Sequence, residues 1–194
     1  VKGLTVAIQG LGKVGMGVAK RLHEEEAKLI VADINEDLVR RAADAFRARI
    51  ASPDDVVTVE CDVLSPNALG AILNEKTIPR LHARVVAGGA NNQLARAEHG
   101  AMLTERGILY APDYAINGGG IIRVAGQILG WSDAEIKRRT LAIADTLTAI
   151  FRRADAEKRP TSVIADAIAE ERMAGGGGPA KSAEQAAPMA GLQI

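Results

Sequence analysis

Short apolar runs alternate with longer amphipathic stretches along most of the chain. The runs that predict strands lie at 4–9, 28–32, 60–64, 85–88 and 108–110. The second run has the sequence KLIVA, which is typical of a strand covered on both faces. Strands that alternate with helical stretches form βαβ units, so the pattern predicts an α/β, doubly wound fold with a mostly parallel sheet.

Helices are predicted between the strands because apolar residues recur there every three or four positions. The first two apolar stripes consist of Val14, Val18 and Leu22, and of Leu38, Ala42 and Phe46. A shorter helical piece is predicted at 98–106. Three of the later runs each lead into a loop rich in Gly, Pro, Asn or Asp, and the glycine-rich stretch after residue 116 is interpreted as part of such a loop.

Beyond residue 130 the pattern changes to a C-terminal helical extension. One long helix is predicted over 133–158, with a capping residue at Ser132 or Asp133. Pro160 ends this helix, and a second helix is predicted over 161–173. The segment 174–194 contains four consecutive glycines and little to bury, which predicts a disordered tail. The expected units are therefore 1–130, 131–173 and 174–194.

Composition and charge exclude several function classes. The 194 residues include 24 basic and 24 acidic side chains, so neither nucleic acid nor an anionic membrane is an expected partner. The single cysteine, Cys61, rules out an intrachain disulfide, indicates a reducing compartment and is interpreted as a buried strand residue. No apolar run reaches the roughly 18 residues of a membrane helix, and no leader precedes the first strand. These features predict a cytoplasmic protein.

The clearest chemical signal is the segment GLGKVG at 10–15, where the first strand meets the first helix. Its G-x-G-x-x-G spacing is the arrangement that binds a dinucleotide diphosphate. Gly10 permits a tight turn, Gly12 lets the backbone approach a pyrophosphate, and Gly15 lets helix and strand pack closely. The helix N-terminus then offers free N–H groups and the positive end of its dipole. The unit 1–130 is therefore predicted to be a Rossmann-like dinucleotide-binding domain.

An acidic residue at the end of the second predicted strand supports this interpretation. Asp33 follows Gly15 by 18 positions, near the spacing of about 20 expected of a carboxylate that binds ribose hydroxyls. A carboxylate there repels a 2′-phosphate, so we expect NAD rather than NADP. A structural turn with a capping aspartate is the less favoured alternative.

Uncharged amides recur in the loops after the later predicted strands. The loop after the third strand has Ser65, Pro66 and Asn67, and the loop after the fourth has Asn91 and Asn92. The loop after the fifth has Asp113 and Asn117, followed by three glycines. Ligands of open parallel sheets bind beyond the carboxyl ends of the strands, where these loops lie. Each Asn taken singly is explained as a turn residue. Their recurrence on one edge favours contact with a nicotinamide carboxamide or a small zwitterion.

The ordered segments GLGKVG, VADIN, CDVLSPNALG, VVAGGANNQLA and GILYAPDYAINGGG resemble the cofactor domain of the Glu/Leu/Phe/Val amino-acid dehydrogenases, within the leucine, valine and phenylalanine branch. The resemblance covers residues 4–173. It implies oxidative deamination of an L-amino acid to a 2-oxo acid and ammonia, with hydride transfer to NAD. Asn67 stands where the family commonly has Cys, Gly118 where it usually has Ala, and Glu26 where a glycine normally precedes the second strand.

The resemblance also implies roles for particular residues. The predicted cofactor-binding set is Gly10, Leu11, Gly12, Lys13, Val14, Gly15, Asp33, Ile34, Ala90, Asn91, Asn92 and Asn117. The predicted substrate-binding set is Asn117, Asp113, Thr146 and Ala149. Asn91 and Asn92 are expected near the nicotinamide ribose and carboxamide, and Asn117 near the substrate carboxylate. Asp113 is proposed from the residues rather than from the resemblance: as the loop carboxylate close to Asn117, it is expected to position groups near the nicotinamide.

The resemblance places the catalytic lysines and aspartate on a separate N-terminal domain that this chain does not supply. No catalytic residue and no metal ligand is therefore predicted here, and the chain alone is expected to be inactive. The helices at 131–173 are expected to pack back toward that domain, and a homo-oligomer is expected to assemble through it. Because residue 1 is Val, the sequence leaves open whether the chain is a fragment or a natural short protein.

Two other functions remain open from the residues. One is a stand-alone NAD-binding module without catalysis. The other is a 2-hydroxy-acid oxidoreductase on the same fold, which would require a catalytic His–carboxylate pair. The three histidines are each interpreted as lone exposed or capping residues, which disfavours that enzyme. The coding sequence upstream of Val1 would distinguish the amino-acid dehydrogenase from the module.

Overall fold

The computed structural model describes residues 1–175 and contains a six-stranded, wholly parallel sheet. The strands are β1 (Thr5–Gln9), β2 (Lys28–Ala32), β3 (Arg49–Ile50), β4 (Val63–Pro66), β5 (Val85–Val86) and β6 (Leu109–Tyr110). Their order is β3-β2-β1-β4-β5-β6. The chain therefore winds outward in both directions from β1, which confirms the predicted α/β, Rossmann-like, doubly wound fold. Nearly all of the predicted tail lies outside the described residues.

Eight α-helices occur in the described part of the chain. They are α1 (Lys13–Glu24), α2 (Glu36–Phe46), α3 (His99–Glu105), α4 (Asp113–Ile116), α5 (Gly119–Leu129), α6 (Asp133–Leu141), α7 (Ile143–Glu157) and α8 (Thr161–Ala174). None of the helices within residues 1–175 has the length and apolar character needed to cross a membrane.

The two faces of the sheet build two separate apolar cores. On one face, Ile8 and Val31 pack with Ala19 of α1 and Ala42 of α2. On the other face, residues of β1, β2, β4, β5 and β6 pack with the loops and with α3. Side chains that alternate along one strand thus enter opposite cores, as Ala7 and Ile8 do. Burial on both faces explains why the central strands are apolar runs rather than alternating ones.

Several predicted boundaries differ from the structure because tertiary pairing sets them. The predicted strand at 60–64 lies instead at β4, where residues 63–66 pair with β1. Cys61 consequently lies before the strand and is half-buried. Strand β3 was not predicted, because its two residues are exposed and form only an edge pair with β2. Val14 does not belong to the buried stripe of α1, whose buried residues are Gly15 and Ala19.

The predictions of loop and helix after residue 112 also need correction. The stretch interpreted as a glycine-rich loop folds into α4 and α5. The single helix predicted over 133–158 is two helices that meet at Ala142, because α6 packs on α5 while α7 packs on α4 and α8. Ser132 is the N-cap of α6, since its Oγ accepts a hydrogen bond from the Glu135 N–H. The final helix continues one residue beyond its predicted end, to Ala174.

The C-terminal helices pack on the sheet unit rather than standing apart from it. Helix α8 contacts α3 and β6. The Thr161 hydroxyl donates to the Tyr110 carbonyl at the end of β6 over 2.7 Å. A Cβ on Gly100 of α3 would lie 2.6 Å from the Ser162 Oγ, so α3 and α8 are in close contact there. This packing fixes the end of β6, three residues before Asp113 at the start of α4.

Candidate functional site

The glycine segment forms a tight turn between β1 and α1. Gly10 adopts φ +89°, a left-handed conformation that favours glycine, and its N–H donates to the Ala32 carbonyl at the end of β2. A Cβ on Gly15 would lie 1.9 Å from the Gly10 carbonyl oxygen, so the helix and the turn approach too closely for any side chain. These two glycines are therefore required by the fold itself.

Gly12 is different, because nothing lies within 4 Å of the position that its Cβ would occupy. It is the N-cap of α1, and no side chain caps this helix or places an acid in its first turn. The N–H groups of Lys13 and Val14 are therefore presented at an open, positively polarised helix end. Such an end is suited to an anion, and the space at Gly12 leaves room for one.

Asp33 joins the glycine turn to the end of β2. Its Oδ2 accepts a hydrogen bond from the Leu11 N–H over 2.6 Å, and its Oδ1 accepts one from the Asn35 N–H over 2.8 Å. The next residue, Ile34, is 92% exposed and lies on the rim. Both carboxylate oxygens keep a further lone pair, so the side chain can still accept hydrogen bonds from a ligand hydroxyl.

A cleft of about 630 Å³ opens beside this turn, and we name it the glycine-loop cleft. Its walls include Gly10, Gly12, Asp33, Ile34 and Leu69. Leu69 is 78% exposed and, with Ile34, gives the cleft an apolar rim. The cleft combines backbone N–H donors for a diphosphate, a carboxylate for the ribose and an apolar rim for the adenine. These are the features that an adenosine diphosphate group requires.

A second cleft of about 440 Å³ lies on the other side of the start of α1, and we name it the asparagine cleft. Val14 and Val18 form one wall, and Gly88, Gly89 and Asn117 contribute to the others. The lining contains no ionisable side chain. This cleft can hold a flat, weakly polar group, but its own walls offer no acid or base.

The loops that follow β4, β5 and β6 are hydrogen-bonded to one another. The Asn67 Oδ1 accepts from the Gly89 N–H over 3.0 Å, and the Ala71 N–H donates to the Asn92 carbonyl over 2.6 Å. The side chain of Asn117 donates through Nδ2 to Oδ1 of Asn91. The tertiary structure thus brings together the asparagines that the sequence predicted for one site.

Asp113 faces inward from the start of α4 and is 8% exposed. Its Oδ1 accepts from the Tyr110 hydroxyl over 2.6 Å, and its Oδ2 accepts from the Asn92 N–H over 2.7 Å. Burial, followed by the hydrogen bond to the Asp113 carboxylate, raises the pKa of Tyr110 well above its usual range. The tyrosine therefore stays a neutral donor to the carboxylate.

The remaining predicted residues are distributed unevenly. Ala90 is buried within the loop after β5, and Lys13 is exposed at the start of α1. Thr146 lies in a separate depression between α5, α6 and α7, together with Trp131 and Ile143. Ala149 is exposed on α7. The structure therefore does not bring Thr146 into the asparagine cleft of this chain.

Two residues that shape the site have contacts that the sequence did not predict. Asn67 was predicted as a polar residue of the loop after the third predicted strand and as a departure from the family pattern, and its side chain proves to join the β4 and β5 loops. Tyr110 was interpreted as a strand residue, although an aromatic hydroxyl three positions before Asp113 could have indicated a local pair. Neither contact is visible in the sequence, because each depends on how the neighbouring loop is placed.

One His–carboxylate pair exists and was not expected. The Nε2 of His99 lies 3.3 Å from a Glu75 carboxylate oxygen, and its Nδ1 accepts from the Arg96 N–H. His99 is fully buried rather than exposed, and neither partner lines the two clefts. The pair therefore offers no support for hydroxy-acid chemistry.

A further depression of about 650 Å³, which includes Lys28 and Phe46, lies at the amino-terminal edge of the sheet, opposite the loops.

The strand order and the paired clefts at the carboxyl edge define a Rossmann-like α/β protein. Residues 32–174 match the family described as Glutamate/Leucine/Phenylalanine/Valine dehydrogenase. The chain belongs to this family, which confirms the resemblance inferred from its motifs.

The relatives are amino-acid dehydrogenases. Leucine dehydrogenase of Geobacillus stearothermophilus is 46% identical over 89% of this chain and 47% of its own length. Valine dehydrogenase of Streptomyces albus is 43% identical over 88% of this chain and 48% of its own. The crystal structure of L-tryptophan dehydrogenase from Nostoc punctiforme superposes with a TM-score of 0.88 at 39% identity, over 90% of this chain and 54% of that one. The chain thus spans about half the length of the relatives that it matches.

Proposed function

We propose that this chain is the NAD-binding part of an amino-acid dehydrogenase that converts an L-amino acid of the leucine, valine or phenylalanine type to a 2-oxo acid and ammonia. The observation that carries the proposal is the uncapped N-terminus of α1, open at Gly12, between the two clefts. An extended dinucleotide fits this arrangement, with its diphosphate at the helix end and one half in each cleft.

The residues divide into two groups around the helix end. Gly10, Leu11, Gly12, Lys13, Val14 and Gly15 would hold the diphosphate, and Asp33 with Ile34 would hold the adenosine ribose. Ala90, Asn91, Asn92 and Asn117 would orient the nicotinamide ribose and carboxamide. When bound, NAD supplies the hydride acceptor. The negative charge of the Asp33 carboxylate would repel a 2′-phosphate, which favours NAD over NADP.

The substrate would meet this chain at Asn117, whose side chain can donate to a carboxylate. Deamination needs a general base and a group that polarises the reacting centre. Because the lining of the asparagine cleft contains no ionisable side chain, these groups would come from another part of the whole protein. Thr146 and Ala149 would line the amino-acid pocket together with the remaining part of the protein, and a homo-oligomer would assemble through that part.

The test uses purified chain 1–194 and the full-length gene product. Calorimetry with NAD should show weak binding to the chain, while absorbance of NADH should show no leucine, valine or phenylalanine oxidation by it. The full-length product should oxidise at least one of these amino acids. Amino-acid oxidation by chain 1–194 would contradict the proposal that the catalytic groups lie in another part of the protein. Absence of NAD binding at millimolar concentration would contradict the cofactor proposal.

A further inference from the structure

Asp113 occupies an unusual position between the two asparagine loops. Its carboxylate accepts from the Asn92 N–H, while its backbone carbonyl makes the i→i+4 hydrogen bond of α4 with the Asn117 N–H over 2.9 Å. The side chain therefore holds the loop after β5, and the backbone of the same residue belongs to the short helix that ends at Asn117. The side chains of Asn91 and Asn117 then meet in a hydrogen bond of their own.

The carboxylate does not serve its own helix. Helix α4 begins after Pro112 and has no side-chain cap, so Asp113 does not accept from the first turn that follows it. Instead it reaches Asn92, which lies 21 positions earlier in the chain. Asp113 is thus a buried, charged acceptor that joins α4 to the loop after β5, and it is 8% exposed. This use of a carboxylate points to a role in positioning that loop.

The loop that it holds has a conformation that needs support. Asn92 adopts φ +52°, in the left-handed region that residues with a side chain enter at a cost. Its carbonyl is held by the Ala71 N–H, and a Cβ on Gly70 would lie 2.8 Å from that carbonyl oxygen. The N–H of Asn92 is held by Asp113. The backbone of Asn92 is thus held on both sides, through the peptide group that precedes it and the one that follows it.

Tyr110 completes the arrangement from the end of β6. Its hydroxyl donates to the Asp113 Oδ1, and the Asp113 N–H donates back to the same hydroxyl over 3.3 Å. Tyr110 is 2% exposed, so the hydroxyl has a fixed position. The carboxylate is therefore directed toward Asn92 and away from the asparagine cleft, whose lining it does not join.

We infer that Asp113 is a positioning residue for the nicotinamide half of the cofactor, acting through the backbone of Asn92 rather than by contact with the substrate. The inference rests on the proposed function, because it concerns how the same site is built. It predicts that the loss of Asp113 affects one half of the dinucleotide site and leaves the other intact, since the glycine turn and Asp33 share no hydrogen bond with Asp113.

The test compares two ligands on chain 1–194 by calorimetry. NADH reports both halves of the site, and ADP reports the adenosine diphosphate half alone. Wild-type chain should bind NADH more tightly than ADP. Asp113→Asn should weaken NADH binding by about tenfold, as expected when a charge-assisted hydrogen bond is lost, while ADP affinity changes by less than about twofold.

The control is Asp166→Asn. Asp166 also accepts from a tyrosine hydroxyl, that of Tyr114 over 2.7 Å, but it is exposed on α8 and holds no loop of the site. This variant should bind both ligands as wild type does. Tyr110→Phe provides a milder change, because it removes one donor to Asp113 and leaves the Asn92 hydrogen bond in place. It should weaken NADH binding by about threefold without affecting ADP.

The outcomes separate the proposals. If Asp113→Asn still unfolds in a cooperative thermal transition but loses affinity for NADH and ADP equally, Asp113 has a merely structural role. That result would overturn the inference. Equal wild-type affinity for NADH and ADP would overturn it as well. If Asp113→Asn does not fold, Tyr110→Phe decides the question. Unchanged NADH affinity in that variant overturns the inference, and weaker NADH binding with unchanged ADP binding supports it. Wild-type chain that binds neither ligand overturns the proposed function, and the inference with it.

Discussion

The carboxylate of Asp33 and the backbone N–H of Leu11 are hydrogen-bonded over 2.6 Å, which joins the end of β2 to the middle of the glycine turn. Asp33 therefore has two tasks in this chain. It holds the turn in shape, and it presents a lone pair to the glycine-loop cleft. Substitution of this residue should affect both the fold and the cofactor.

Asp33→Ala should weaken NAD binding and narrow the preference for NAD over NADP. The loss of the acceptor for the Leu11 N–H should also lower the free energy of unfolding by about 1–2 kcal/mol. Titration with both cofactors and urea unfolding measure the two effects. The control is Asp37→Ala, which removes an exposed carboxylate in the first turn of α2 that pairs with Arg40. An unchanged ratio of NAD to NADP affinity in Asp33→Ala would exclude the ribose contact.

Gly12→Ala should separate binding from folding. A Cβ at this position meets nothing within 4 Å, and the backbone angles of Gly12, φ −62° and ψ −167°, are open to alanine. The free energy of unfolding should therefore change by less than about 0.5 kcal/mol. NAD affinity should fall by about tenfold or more, because the methyl group occupies the place of the diphosphate. Undiminished affinity would show that the diphosphate does not approach Gly12.

Gly15→Ala should destabilise the protein, because its Cβ would lie 1.9 Å from the Gly10 carbonyl oxygen and the turn must shift. We expect a loss of about 3 kcal/mol or more in the free energy of unfolding, at the upper end of overpacking effects. Gly17→Ala is the matched control in the same helix, since nothing lies within 4 Å of its Cβ. It should stabilise the chain by about 0.5–1 kcal/mol, because alanine loses less conformational entropy than glycine on forming a helix. Equal effects of the two substitutions would contradict the packing described here.

Cys61 should be a slowly reacting thiol. The pKa of this thiol is raised from 9.0 to about 11, and burial is the largest cause of the shift. The alkylation rate with iodoacetamide should therefore rise with a midpoint near pH 11 in the folded chain, since only the thiolate reacts. A midpoint near the value of an ordinary thiol would contradict the burial.

The same shift makes stability depend on pH. The folded-state pKa of Cys61 lies above the unfolded one, so its stabilising contribution is complete below about pH 9 and is lost as the pH rises toward 11. Urea unfolding across this range should show a steeper loss for wild type than for Cys61→Ala. Identical slopes would show that the thiol titrates equally in both states.

The sequence predicted the strands that are buried on both faces, because an apolar run such as residues 28–32 has few other interpretations. It failed at Arg49–Ile50, which is exposed and becomes a strand only by pairing with β2. It also failed at Ala142, where no glycine or proline marks the break between α6 and α7. In both cases the contacts with neighbouring elements, and not the local residues, decide the structure.

In the glycine-rich stretch after Asn117, the sequence predicted a loop where the structure has a helix. Consecutive glycines favour a loop by propensity, yet α5 forms there because it packs on α6. A Cβ on Gly126 would lie 2.6 Å from a side-chain carbon of Ile136, so the small residue permits the helices to meet. Local propensity was overridden by packing that the sequence does not reveal.

The sequence by itself determined the α/β class, the family and the glycine turn with Asp33, because these depend on residue types at short, fixed spacings. Tertiary structure alone decided which loops meet. Asn67 reaches Gly89 and Asp113 reaches Asn92 only because the order of the parallel strands places β4, β5 and β6 side by side. Contacts between residues some twenty positions apart arise from strand order, which local periodicity does not specify.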